Sequence, residues 1–254
     1  MATERVYIGI DPTAGKRRLT YAVLDSDLNM VALEDATLDG VVEVVAAYPA
    51  ATCAVDAPSG KNLGLMAEPD YRETLGLRSN ASRYATFRVC EYELRRRNIG
   101  LYRTPRDPED APAWMQLGWQ LFDALRAAGY ALHPQAGARQ TFEVHPHACF
   151  TALLGHRPFK KNTIEGRLQR QLLLYEEGMA VSDPMLIFEE WTRHHVLSGK
   201  MALNHLHGHD QLDALVAAYT AYLLAVEPEN TSSVGDVREG TIIVPTNALK
   251  DRYS

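Results

Sequence analysis

The chain predicts one mixed α/β sheet domain, and three observations carry that expectation. It opens with three runs rich in β-branched and aromatic residues, VYIGID (6–11), LTYAVLD (19–25) and NMVALEDATL (29–38), separated by short turns. A helical stretch at 41–48 then leads to a compact apolar run, TCAVDAP, whose strand must stop at Pro58. Beyond residue 110, long helical patterns surround one more strand, RQTFEVHP.

In chain order, the short turns make the first three strands an antiparallel meander. The helix at 41–48 is a crossover, so the strand after it lies parallel to the first. Residues 60–110, bearing Gly, Pro and Asn, read as an insertion or long functional loop containing a charged helix at about 84–97. Ala113 to Ala128 is an amphipathic helix with Gly129 at its end. From Ala148 the pattern is mostly helical, closing with a helix at 210–226, and TIIVP marks one late strand.

With 254 residues, 46% of them apolar, the chain can bury one large core carrying an insertion. A formal charge of −6 argues against a general basic coat for nucleic acid, while leaving room for a local patch. Cys53, Cys90 and Cys149 lack CxxC spacing and read as reduced, buried thiols. The N-terminus runs directly into strand without an apolar leader, and no apolar run approaches a membrane span, so the expected location is cytoplasmic.

Acids fall at strand ends. Asp11 ends the first strand, Asp56 the strand after the crossover, and Glu143 lies near the end of a third. Asp210 and Asp213, three apart, share one helix face, with Leu212, Leu215, Val216, Tyr219 and Leu223 as the packing stripe. Carboxylates gathered on a packed face need cations, protons or hydrogen-bond donors. Mg²⁺ or Mn²⁺ supplies that compensation, and two such ions about 3.5–4 Å apart can activate water and stabilise a leaving phosphate oxygen. The local alternative makes Asp210 an N-cap and Asp213 its capping-box partner.

HLHGHD (205–210) offers a competing zinc reading, close to the H-x-H-x-D-H pattern of metallo-β-lactamases. Its last two residues are reversed and no histidine follows His209. His145 and His147 form a second HxH around Pro146. Gly9 to Lys16 resembles a P-loop, but Arg17 stands where Ser or Thr would meet magnesium, and the motif is rejected. Ser59 lacks a nucleophile elbow and reads as a turn residue; Trp114 and Trp119 read as packing residues.

Taken together, IGIDPTAGKRRLTYAVLD, CAVDAPSG, FEVHPHACFTALLG and HDQLDALVAAYTAYL resemble domain of unknown function 429, a family of predicted nucleases with a ribonuclease-H-like fold. The final helix is also similar to that of RuvC-type resolvases, in which two acids three apart close a metal site. The resemblance implies that Asp11, Asp56 and Asp213 bind Mg²⁺ or Mn²⁺, with Asp210 beside them and Glu143 as ligand or orienting acid. It further implies phosphodiester hydrolysis, a nucleic-acid partner, and a homodimer as one option.

The substrate signal is a run of seven arginines, 83, 88, 95, 96, 97, 103 and 106, against Glu91 and Glu93, interleaved with Tyr84, Phe87, Tyr92 and Tyr102. Lys16, Arg88, Arg95, Arg96 and Arg97 are the expected phosphate contacts, and the aromatics could stack on bases. Lys160, Lys161, Arg167 and Arg170 form a second, weaker cluster. Two other functions fit the same pattern: a non-catalytic nucleic-acid-binding module, and an actin-like or sugar-kinase-like phosphotransferase, although the chain is short for the duplicated domain of the latter.

Overall fold

A computed structural model describes residues 5–13, 18–77, 82–200 and 203–254. Lys16 lies outside the described residues. Strands β1 (Val6–Asp11), β2 (Leu19–Leu24), β3 (Met30–Ala36), β4 (Ala51–Val55), β5 (Ala131–Leu132), β6 (Arg139–Val144), β7 (Ser232–Asp236) and β8 (Gly240–Val244) form one sheet. Their order is β3-β2-β1-β4-β6-β8-β7, with β5 also beside β6. The first three strands are antiparallel, β4, β6 and β8 continue parallel to β1, and β7 returns antiparallel.

The helices are α1 (Leu38–Ala47), α2 (Pro69–Thr74), α3 (Val89–Arg96), α4 (Ala113–Ala127), α5 (Pro146–Leu154), α6 (Ile164–Glu176), α7 (Ile187–Glu190), α8 (Arg193–Leu197) and α9 (His209–Val226). Strand alternation divides the core. Ile8, Ile10, Cys53 and Val55 pack with Val41 and Val45 of α1 and Leu121 and Leu125 of α4. Tyr7, Ala54, Phe142 and Val144 face the other way, onto Leu212, Leu215 and Val216 of α9.

Gly9 sets how closely α9 approaches. A Cβ there would lie 2.0 Å from the Ala214 carbonyl oxygen and 2.4 Å from the Ala218 nitrogen, so helix backbone rests directly on strand backbone. That contact sits between Asp11 and the first turns of α9, and it fixes their separation.

After α9 the chain returns to the sheet, where the sequence predicts one late strand. TIIVP is β8, and it forms a hairpin with β7 that extends the sheet beyond β6. SSVGD carries little β propensity, so only its partner is legible from sequence. The α9 start also differs. Gly208 is the N-cap, and its N–H donates to Gln211 Oε1 at 2.8 Å, so neither Asp210 nor Asp213 serves as the cap. All three cysteines are buried free thiols. Among the described residues, no helix is long and apolar enough to cross a membrane.

Candidate functional site

Asp11 and Asp56 leave the ends of neighbouring parallel strands, and the Asp56 N–H donates to the Ile10 carbonyl at 2.9 Å. Both lie on the α9 face, because alternate positions Tyr7 and Ala54 pack there. Asp213, on the first full turn of α9, faces the same place. These two strands and one helix define a cleft of about 380 Å³ lined by Asp11, Asp56 and Asp210, with Thr13, Tyr102, Trp114, His145 and Lys161. An adjoining cleft of about 330 Å³ shares Asp56, His145 and Lys161 and adds Asp213.

The electrostatics are those of too many acids for the donors at hand. Asp11 is buried, and among the described residues no donor lies within hydrogen-bond distance of its carboxylate. Burial, then Asp56 and Asp213, push its pKa well above the usual carboxylate range. Asp213 is also raised, by burial and Asp56, although Lys161 opposes this. Lys161 Nζ stands 2.6 Å from Asp213 Oδ2. Burial lowers the lysine's pKa, but Asp213, Asp11 and Asp56 outweigh it and the net shift is upward.

His145 completes the wall. Its Nε2 lies 3.0 Å from the Gly100 carbonyl, which can only accept, so that nitrogen carries the proton. Nδ1 is buried without a hydrogen-bond partner, 3.7 Å from Asp56 Oδ1. Burial pulls the imidazole pKa down, yet Asp56 and Gly100 raise it on balance. His145 and Lys161 are the cleft residues whose place the sequence did not reveal. His145 follows a strand whose face assignment requires the sheet, and Lys161 comes from a loop ahead of α6.

Glu143 requires correction. Phe142 and Val144 point toward α9, so Glu143 points to the opposite face, away from Asp11 and Asp56. Its carboxylate accepts from the Ser59 N–H (2.7 Å), the Ser59 hydroxyl (3.0 Å), Tyr102 (2.9 Å) and both terminal nitrogens of Arg88. It has no capacity left for a metal.

Arg88 is corrected with it. Expected on phosphate, it is fully buried, with Nε 3.0 Å from Glu91 and a fork onto Glu143. Arg96 and Arg97 both engage Glu93. Arg95 alone of the expected arginines keeps an exposed guanidinium without an acid partner among the described residues.

Among the described residues, the three histidines of HLHGHD do not assemble a zinc site. His205 Nε2 lies 3.0 Å from Glu190 and His209 Nε2 lies 3.3 Å from Asp210. Arg167 and Arg170 donate to backbone carbonyls and brace this side of the cleft. Trp114 packs edge-on to Tyr102, with ring centroids 5.0 Å apart, and also lines the cleft.

The chain belongs to DUF429, described as a protein family of unknown function, whose model matches residues 9–239. That span runs from the residue on which α9 rests to the C-terminal hairpin. Neither curated proteins nor solved structures give a match.

Proposed function

We propose that this protein is a metal-dependent phosphodiester hydrolase with a ribonuclease-H-like core, acting on nucleic acid. The β3-β2-β1-β4-β6 order, with an antiparallel start and parallel continuation, supports the fold reading. One observation carries the chemistry: Asp11 sits buried at the cleft floor beside Asp56, with no protein donor among the described residues to offset its charge.

Among the described residues, no three His, Cys, Asp or Glu side chains form a ready metal cage. Magnesium does not need one, since it typically takes one or two carboxylates and keeps several waters. Asp11 and Asp56 fit that donor set, with Asp213 adjacent and at present paired to Lys161. A bound Mg²⁺ or Mn²⁺ would lower the pKa of a coordinated water and take up charge on phosphate oxygens. Lys161 supplies a fixed positive charge at the same opening. His145, its Nε2–H held on the Gly100 carbonyl, can donate from Nδ1 toward Asp56 once the ring is protonated and so hold that carboxylate.

The Lys161–Asp213 pair also supports a second reading. A lysine within 2.6 Å of the helix acid can replace a cation, as expected for a nucleic-acid-binding module without turnover. The test uses labelled single-stranded and duplex DNA and RNA pools with Mg²⁺ or Mn²⁺, comparing wild type, Asp11→Asn and Lys161→Met. Hydrolysis that needs a divalent ion and disappears in Asp11→Asn supports the hydrolase. Metal-independent binding without cleavage of any pool overturns it in favour of the module.

A further inference from the structure

Five of the seven arginines between residues 83 and 106 are occupied by the protein. Arg88 is buried in its acid cluster, Arg96 and Arg97 hold Glu93, Arg103 donates to Thr86 and Arg106 to the Gly64 carbonyl. The remaining two, Arg83 and Arg95, line the same pocket of about 430 Å³, joined by Arg157 from the loop after α5. Tyr84, Phe87, Asn98 and Gly100 complete its lining, and no acid does. Among the described residues, no carboxylate or carbonyl pairs with any of these three guanidinium groups.

Among the described residues these three guanidinium groups have no acid partner, although Arg83 also lies over the Tyr84 ring, 5.4 Å from its centroid; they repel one another unless an anion enters, and a planar fork is suited to phosphate oxygens. Tyr84 and Phe87 add two partly exposed rings, with centroids 6.1 Å apart, at the same wall. The location is equally specific. Gly100 lines both this pocket and the acidic cleft, and its carbonyl is the acceptor that holds His145.

We infer that Arg83, Arg95 and Arg157 bind a backbone phosphate of single-stranded nucleic acid, with the adjoining base against Tyr84 and Phe87, while the strand continues past Gly100 into the acidic cleft. A base paired within a duplex would not offer its face to these rings, so the pocket selects single strands. This rests on nucleic acid being the substrate of the cleft, but not on turnover.

The test is fluorescence anisotropy of a 12-nucleotide single strand and its duplex, with EDTA present so that cleavage plays no part. Arg95→Glu and Arg157→Glu should each weaken single-strand binding about tenfold and make its salt slope shallower by about 0.7 for each phosphate no longer neutralised. Tyr84→Ala should weaken it by a similar factor. Arg96→Glu makes the same charge change at a guanidinium already on Glu93, and should alter affinity less than twofold. Thermal melts verify that each variant folds.

Equal weakening in Arg96→Glu and Arg95→Glu would overturn the inference, as would duplex binding as tight as single-strand binding. Arginine-dependent binding without metal-dependent cleavage would defeat the hydrolase reading and leave this pocket standing. Cleavage with binding indifferent to the three arginines would do the reverse.

Discussion

Two regions of this molecule gather acids, and they differ in whether the donors balance them. In the cluster around Arg88, Glu143 receives five hydrogen bonds, Glu91 accepts from Thr104 and Arg88, and Glu239 takes the N–H groups of Leu65 and Val89. Every carboxylate there is satisfied, and Arg88 is fully buried. In the cleft at Asp11, Asp56 and Asp213, Lys161 pairs with Asp213 and His145 stands beside Asp56, while Asp11 receives no donor from the described residues. Among the described residues, the same residue types therefore build a brace in one place and leave Asp11 without a donor in the other. Tyr102 divides them, its hydroxyl on Glu143 and its ring on the cleft wall.

Asp11 and Arg88 should respond to substitution in opposite ways. Asp11→Ala should reduce metal-dependent cleavage by about 10³-fold or more while leaving the circular dichroism spectrum unchanged. Retained turnover would remove Asp11 from the chemistry. Arg88→Met should do the opposite, destabilising the fold by about 3–5 kcal/mol in urea because it strands buried carboxylates. A variant as stable as wild type would show that the brace is dispensable.

A smaller loss, about 1–3 kcal/mol, is expected for Gly9→Ala, whose methyl group would collide with the backbone of α9. Mn²⁺ affinity should fall with it, because the same contact positions Asp213 over Asp11. Unchanged affinity would uncouple helix seating from the site. Smaller still, metal-free Asp11→Asn should be more stable than wild type at neutral pH, by on the order of 1 kcal/mol. Asp11's pKa is raised in the fold, so its contribution favours folding at low pH and is lost as pH rises; the amide removes that loss. A destabilised Asn variant would mean that Asp11 is satisfied after all.

His147 gives an acid-side counterpart. Burial, then His145 and nearby cations, push its pKa down to about 4, so it stays neutral in the fold. Its contribution is present above the ordinary histidine range and declines as pH falls from about 6.5 toward about 4. His147→Gln should flatten that limb of the stability curve, and an unaltered limb would assign it to other groups.

Much of the frame is legible in the sequence because strands and crossover obey local rules. The meander, the parallel β4 and the acids ending β1 and β4 all follow from apolar runs and proline stops. Asp213 follows from helix spacing. Glu143 is misplaced by the sequence pattern because one residue of register reverses the face, and only the packing of Phe142 and Val144 fixes it. Arg88 is misread because an arginine run looks solvated until one member is seen buried on Glu91 and Glu143. Lys161 and His145 reach the cleft from loops, where sequence periodicity carries no orientation.

The Asp11 cleft, and not the histidines of HLHGHD, should take up a divalent metal. Calorimetric titration of Mn²⁺ into metal-free wild type and Asp11→Asn tests it most directly, with Zn²⁺ as a control. Saturable Mn²⁺ binding that disappears in Asp11→Asn is the expected result. Mn²⁺ heats identical in the two proteins, or tight Zn²⁺ binding that survives the substitution, would contradict it.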